Sequence, residues 1–307
     1  MNFRKKSVIK ISWRDFLTLQ KRLYTHVQVL SDEIGPRNLQ NYLALNKTRD
    51  YIAEQMILHT KNFSIQQYPY EKKSISNLIV EKIGQNAPDE IIVVGAHYDT
   101  VLDSPGADDN ATGIACLLEL IRLLHQYNNN RTLRFVAFTL EEPPFFGTEQ
   151  MGSNVYAKSC KVKDENIVAM IALEMLGYYT EKRRSQKYPL PDMKGQYSDK
   201  GNFIAVVGNE ESRRLANGFT EKITKASHIK SAAIIPHSHI HGIDLSDHSS
   251  FWKYNYTAIM ITDTAFYRNP HYHEISDTID TLNFRYFTRT AHALVYALKK
   301  LDQQDVI

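Results

Sequence analysis

Short, continuous apolar segments alternate with helical stretches along most of this 307-residue chain. The predicted strands are residues 77–83, 91–97, 133–139, 167–174, 203–207 and 258–262. Most of these segments are apolar throughout, as expected for strands that are buried on both faces. The predicted helices are residues 111–127, 212–226 and 284–301. This alternation predicts a three-layer α/β/α sandwich around a central mixed, mostly parallel sheet.

Three segments do not follow the alternation. We predict that residues 1–75 form an N-terminal helical segment, packed on a single domain of residues 1–307, because their pattern is helix-like up to about residue 60. Residues 178–201 are polar and rich in tyrosine, and residues 229–248 hold several histidines. Long irregular insertions in compact domains are usually functional, and ligands of open α/β sheets bind at strand ends. Both segments are therefore predicted to border a pocket.

Composition and charge exclude several classes of partner and site. The 37 Lys and Arg residues against 34 Asp and Glu residues give a formal charge of +3, too near balance to indicate a nucleic-acid partner. Two cysteines exclude a disulfide framework and a four-cysteine zinc site. No stretch approaches the about 18–20 apolar residues that a membrane helix needs. Lys10, Arg14 and Asp15 interrupt any signal-like segment, so we expect a cytoplasmic protein without membrane association.

Acidic residues and histidines follow the predicted strands where each strand ends or shortly before a helix. They are His97, Asp99, Asp108, Asp109, Glu141, Glu142, Glu174 and His273. Any one of these residues alone is typical of a cap or a solvated loop. Together they would bury like charges near one another unless a cation were present.

The donor types indicate which cation and which chemistry to expect. Imidazole combined with carboxylate oxygens suits Zn²⁺, or less selectively Mn²⁺ or Co²⁺. An open metal site beside a glutamate supplies a water nucleophile and a base, the parts needed for hydrolysis. The dinucleotide, phosphate-loop, serine-elbow and H-E-x-x-H signatures are absent from the sequence. The residues therefore favour metal-assisted hydrolysis.

Five motifs resemble those of the M28 metallopeptidases, the co-catalytic zinc aminopeptidases that share their fold with animal glutaminyl cyclases. They are GAHYDT (95–100), PGADDNATG (105–113), FTLEEPPFFGTEQMGS (138–153), ALEMLGY (172–178) and YHEISDTIDTLN (272–283). The motifs occur in the order typical of the family and span about two thirds of the chain. The resemblance implies a zinc-exopeptidase-like fold.

The resemblance also implies a site for two zinc ions. Asp109 would bridge both ions, with His97 and Glu174 completing one site and Glu142 and His273 the other. The family often has aspartate where this chain has Glu174, which is one methylene longer.

The resemblance implies roles for four further residues. Glu141 would be the general acid and base, Asp99 would orient His97, and Tyr272 would hydrogen-bond the developing oxyanion. Asp247 would grip the amine of the substrate or, equally, stabilise a loop through a hydrogen bond.

The histidine-rich stretch at residues 237–241 resembles a metal-binding tract. Because five ligands are already assigned, we predict solvated or loop-packing roles for His237, His239 and His241.

The implied function is that of an aminopeptidase acting on peptides with a free N-terminus. A water shared by the two metals would lose a proton to Glu141 and attack the first peptide carbonyl. A glutaminyl cyclase, with one zinc and no water attack, is an open alternative because cyclases retain most of these ligands. A non-catalytic interaction module is a second alternative, but it would be marked by lost ligands, and every motif is intact.

Overall fold

The computed structural model describes residues 11–227, 229–236 and 240–304. Its strands are β1 (Phe63–Tyr70), β2 (Lys73–Lys82), β3 (Ala87–His97), β4 (Arg131–Phe138), β5 (Ile167–Glu174), β6 (Phe203–Gly208), β7 (Lys230–Ile234) and β8 (Ala258–Thr262). They form one eight-stranded sheet in the order β1-β2-β4-β3-β5-β8-β6-β7. The four central strands β4, β3, β5 and β8 are parallel, whereas β2 and β6 pair antiparallel with them. The predicted mixed α/β sheet is confirmed.

Helices cover both faces of this sheet. They are α1 (Trp13–Gln28), α2 (Tyr42–Ile57), α3 (Gly113–Leu124), α4 (Gly152–Val162), α5 (Arg213–Ala226), α6 (His248–Lys253) and α7 (Phe284–Asp302). Helices α1, α2, α3, α5 and α7 contribute to the larger apolar core, and α4 and α6 to the smaller one on the opposite face. No helix in the described ranges is long and apolar enough to cross a lipid bilayer.

The central strands are buried on both faces, as their apolar sequence predicts. In β3, Ile92 and Val94 belong to the larger core, whereas Ile91 and Val93 belong to the smaller core. Side chains that alternate between the faces of a strand must all be apolar when helices cover both faces. A continuous apolar run is therefore the expected sequence of such a strand.

The sequence prediction is wrong at both edges of the sheet. The segment 1–75, predicted as helical, contains β1 and the start of β2, and the predicted loop 229–248 begins with β7. Edge strands have one unpaired side and are half exposed here, so their apolar pattern is weak. Helix α1 of the N-terminal segment packs against α3 and α7.

Candidate metal centre

The parallel strands bring the predicted ligands to one edge of the sheet. His97 is the last residue of β3, Glu174 is the last residue of β5, and Glu141 and Glu142 follow β4 by three and four residues. Because β3 is parallel to both β4 and β5, the carboxyl ends of these strands lie side by side. The four side chains therefore converge although the chain separates them by up to 77 residues.

Asp109 lies between the two histidines and faces each of them with a different oxygen. Its Oδ1 is 3.4 Å from His97 Nε2, and its Oδ2 is 3.3 Å from His273 Nε2. Glu174 Oε2 is 3.3 Å from the same atom of His97, and Glu142 Oε2 is 3.1 Å from that of His273. Three groups of possible metal donors result, two of which share Asp109. They are His97 with Asp109 and Glu174, Asp109 with Glu142 and His273, and His97 with Glu141 and Glu142.

The spacing of these atoms fits metal coordination. Tetrahedral donors at about 2.0–2.1 Å from a zinc ion are about 3.3–3.4 Å apart, longer than an ordinary hydrogen bond. Both ring nitrogens of His97 and the Oε1 atom of Glu142 are buried without a hydrogen-bond partner. Buried polar atoms are rarely left unpaired, and a bound cation would satisfy them. The residues present fit a divalent metal.

Uncompensated negative charge changes the proton affinities in the site. Burial raises the pKa of Glu141 well above its usual value and that of Glu142 to about 7. Burial alone would lower the pKa of His97, but the carboxylates of Glu174 and Glu141 raise it well above the usual value. Burial likewise lowers the pKa of His273, but hydrogen bonds that its Nε2–H donates to the carboxylates of Asp109 and Glu142 outweigh burial and raise this pKa to about 10. Without a cation the site retains protons, which a metal ion would displace.

Asp99 orients the two adjacent glutamates through their backbone. Its Oδ1 accepts the N–H of Glu141 and its Oδ2 the N–H of Glu142, each at 3.1 Å. The predicted contact with His97 is longer, at 3.6 Å between Nδ1 and Oδ1. The hydrogen bonds of Asp99 thus fix the backbone from which both glutamate side chains extend.

Arg37 supports the turn that carries Asp109, a role that sequence reasoning missed. Its guanidinium is fully buried and donates to backbone carbonyls at 2.6–3.2 Å, those of Leu30, Tyr98, Pro105 and Gly106. Burial lowers the pKa of Arg37 to about 10, so the side chain stays charged at neutral pH. The N-terminal segment therefore ties the end of β3 to the turn before α3. An arginine in a loop carries no sequence signal of this role.

Asp277 supports the same turn from the other side. Its carboxylate accepts the backbone N–H groups of Asp108 and Asp109 at 3.0–3.2 Å. Its partners lie about 168 residues away in the chain, so no local pattern could reveal them.

An apolar cavity of about 190 Å³ opens beside these carboxylates. Its apolar walls include Val207, Ile234, Ile240, Met260, Phe266 and Tyr267. Residues of both insertions, 178–201 and 229–248, contribute to the lining. Tyr272 also lines it, with its ring stacked on that of His273 at 3.8 Å between centroids. Burial and nearby carboxylates raise the pKa of Tyr272, so its hydroxyl keeps its proton and can donate a hydrogen bond.

The structure does not bring Asp247 into the cavity. Its side chain is 1% exposed, it is not among the lining residues, and neither oxygen has a hydrogen-bond partner. The charges of His97 and Glu174 act on its carboxylate, so Asp247 lies near the donor groups, and a contact with the substrate amine stays a prediction. His241 lines the cavity and packs on Phe266, whereas His237 and His239 lie outside the described residues.

Comparison with known proteins identifies relatives over most of the chain. The model of peptidase family M28 matches residues 77–298. The uncharacterized protein YfbL of Escherichia coli K12 is 37% identical over 286 residues, which cover 91% of this chain and 87% of that protein. A probable leucine aminopeptidase of Arthroderma benhamiae is 27% identical over 63% of this chain, and the match spans about half (49%) of its length.

Solved structures with the same fold have low sequence identity. The zinc aminopeptidase BSAP of Bacillus subtilis superposes with a TM-score of 0.71 and 16% identity, covering 97% of this chain and 96% of that chain. The glutaminyl cyclase of Tannerella forsythia gives a TM-score of 0.63 and 17% identity, covering 91% and 98%. At such identities the likeness establishes the fold alone.

Replacing either histidine of the site should weaken metal retention. We expect His97→Ala and His273→Ala each to lower the affinity for a divalent metal by more than about 100-fold. Even the loss of an outer-shell partner costs about 10- to 100-fold. Competition with a chelator measures the affinity, and His241→Ala, which removes a cavity histidine outside the donor groups, is the matched control. Unchanged affinity in both variants would show that these histidines do not bind metal.

Replacing Arg37 should damage the metal centre from a distance. Arg37→Met keeps the length of the side chain but leaves several buried carbonyls unpaired, so we expect the free energy of unfolding to fall by about 3 kcal/mol. Metal affinity should fall by about 10- to 100-fold because the Asp109 turn loses its support. Chemical denaturation and metal titration measure the two effects. Arg49→Met, on the partly exposed surface of α2, is the control, and equal behaviour of both variants would contradict the proposed support.

Proposed function

This chain belongs to peptidase family M28 and is a metallopeptidase, and on that basis we propose that it is a zinc-dependent aminopeptidase. It would release the first residue of peptides that have a free N-terminus. The position of Asp109 between two histidine–carboxylate pairs, beside an apolar cavity, carries the proposal. The names of the Bacillus and Arthroderma relatives agree with it.

We assign five residues to two zinc ions. His97, Asp109 and Glu174 would hold the first ion, and Asp109, Glu142 and His273 would hold the second. Ser246 donates a hydrogen bond of 2.7 Å to Glu174 Oε2, the oxygen that faces His97, and so holds this carboxylate beside the first group of donors. When bound, the zinc ions supply a Lewis acid for the peptide carbonyl and lower the pKa of the attacking water.

Glu141 is the proposed general base and acid. It lines the cavity next to Glu142, and Asp99 directs its backbone. Its carboxylate takes a proton from the water that attacks the first peptide carbonyl. In the second half of the reaction the same proton passes to the departing amine. Asp99 acts by positioning, since it touches the backbone of Glu141 rather than the substrate.

Tyr272 is the proposed donor to the oxyanion. Its protonated hydroxyl stands in the cavity wall next to His273, where it can donate a hydrogen bond to the oxygen of the tetrahedral intermediate. The apolar part of the cavity would receive the side chain of the first residue. The carboxylates at one end of the same cavity favour a free, positively charged N-terminus over a blocked one.

A glutaminyl cyclase is the second candidate because a protein of that activity shares the fold. Two features favour the peptidase. The second donor group, Asp109 with Glu142 and His273, is as complete as the first, and cyclisation would need one zinc ion. The cavity walls are mainly apolar, whereas the side-chain amide of glutamine would need polar partners when buried.

The two adjacent glutamates should respond differently to amidation. Glu141→Gln cannot accept a proton, so we expect kcat to fall by about 10²- to 10⁴-fold with metal content nearly unchanged. Glu142→Gln should lose metal together with activity, because a neutral amide is a poorer ligand than a carboxylate. Metal titration and peptide hydrolysis, with both variants in one buffer, measure the difference. Metal loss in Glu141→Gln but not in Glu142→Gln would reverse the two assignments.

Blocking the N-terminus of the substrate should abolish cleavage. We expect hydrolysis of leucine p-nitroanilide and of a leucine-initiated tripeptide, loss of both activities with a chelator, and no hydrolysis of the N-acetylated tripeptide. A peptide that begins with glutamine should be hydrolysed and not cyclised. Mass spectrometry separates the two, because hydrolysis takes up water and releases free glutamine and a shortened peptide, whereas cyclisation releases ammonia and leaves the peptide chain intact. Equal turnover of free and acetylated peptides would contradict an aminopeptidase, and cyclisation alone would favour the cyclase.

A further inference from the structure

A second cavity, of about 260 Å³, adjoins the metal centre. We propose that it binds the departing part of a peptide substrate and that Lys73 pairs with the terminal carboxylate of a short peptide. The inference rests on the proposed aminopeptidase function and extends it to the other side of the cleaved bond.

The second cavity and the apolar cavity meet at the same two residues. Glu142 and Pro143 line both cavities. The other walls of the second cavity come from residues 38–40, from the β1–β2 hairpin, and from residues 99–102 and 140–145. A peptide whose first carbonyl lies beside Glu142 therefore has a cavity on each side of that position. The N-terminal segment, outside the residues that match the family model, supplies much of the second one.

The two cavities differ in the polarity of their walls, and the two parts of a peptide substrate on either side of the cleaved bond differ in the same way. The first is mainly apolar and suits one side chain. The second is lined by Gln40 and Thr100 as well as by an aromatic pair, and the side chain of Asn38 in the same wall is bonded to backbone groups. That pair, Tyr70 and Phe145, is in edge-to-face contact at 5.0 Å between centroids and can pack on the second side chain of the substrate. The polar groups suit a peptide backbone, which needs hydrogen bonds along its length.

Lys73 is the cation in the wall of the second cavity. Its Nζ donates to the carbonyl of Leu39 at 2.8 Å and lies 5.4 Å from the centre of the Tyr42 ring. These two contacts hold the ammonium group in place, and an ammonium has three protons to donate. No carboxylate of a described residue forms an ion pair with it. It is therefore available to a carboxylate that enters the cavity.

The charges of the site match a short zwitterionic peptide. Glu142 lies at the shared boundary, on the side where the substrate amine is bound, and Asp99 lines the second cavity only, while Lys73 lies in the hairpin wall. Glu71 also lines the second cavity, but its side chain is exposed to water of high dielectric constant, so its repulsion of an entering carboxylate is weak beside a direct ion pair with Lys73. A positive group for the carboxylate and negative groups for the amine would favour one direction of binding.

The experiment compares a tripeptide, Leu-Ala-Ala, with its C-terminal amide and with leucine p-nitroanilide, all with the zinc-loaded protein. We expect a kcat/KM for the free acid about tenfold above that for the amide, which corresponds to about 1.4 kcal/mol for one charged hydrogen bond in a partly open site. In Lys73→Met the ratio of acid to amide should fall to about one, whereas Lys73→Arg should retain most of it. Lys72→Met is the matched control, because Lys72 lies in the same hairpin but does not line the second cavity.

The outcomes separate this inference from the proposed function. If wild-type protein does not prefer the free acid, or if Lys73→Met retains the preference, the inference is overturned. If Lys73→Met loses activity on the anilide as much as on the acid, Lys73 only supports the hairpin, and the inference is again overturned.

Absence of anilide hydrolysis by wild-type protein would instead contradict the proposed function. Calorimetric binding of both tripeptides to the Glu141→Gln variant tests the second cavity without turnover. The inference is supported if Glu141→Gln binds the acid more tightly than the amide and if the double variant with Lys73→Met binds both equally. Equal binding of acid and amide to Glu141→Gln overturns it.

Discussion

Buried negative charge is the constraint on which the functional part of this structure depends. Carboxylates at the ends of parallel strands, around His97 and Asp109, cannot all be ionised in a buried site unless positive charge is present. In the absence of a metal, protons on the histidines supply positive charge and protons on the glutamates remove negative charge. The raised pKa values of His97, Glu141 and His273 indicate this. Because the fold brings these groups together, the site favours the binding of a cation.

Holding such a site requires backbone hydrogen bonds from several parts of the chain. Asp99 fixes the backbone of the two glutamates, and Asp277 fixes the Asp109 turn. Arg37 binds the carbonyls of Pro105 and Gly106 at the start of that turn. Each of these groups is buried, and each is satisfied mainly by backbone atoms rather than by the donor side chains themselves. The donors are thus positioned by the fold, and their own side-chain atoms remain available to a metal.

The sequence predicted the centre of the sheet better than its edges for a physical reason. A strand buried on both faces, such as β3, has a local apolar signature, whereas β1 and β7 are half exposed and owe their structure to pairing partners. In the site, the possible metal donors that end a strand or precede a helix belong to local sequence motifs. The resemblance of these motifs to those of the family therefore predicts them. The roles of Arg37 and Asp277 depend on contacts with distant segments, and the burial of Asp247 depends on packing. No local sequence pattern predicts these features.

The position of Glu142 joins metal binding to the path of the substrate. This residue belongs to the donor group with Asp109 and His273, and it also forms part of the wall of both cavities. A peptide that spans the two cavities must therefore pass the residues that hold the proposed metals, with its first carbonyl beside Glu141. Since Asp99 anchors the backbone of both glutamates and also lines the second cavity, a shift of the chain on that side would move the base and a metal donor together. The proposed binding of the leaving part and the proposed catalysis would in this way depend on the same few hydrogen bonds.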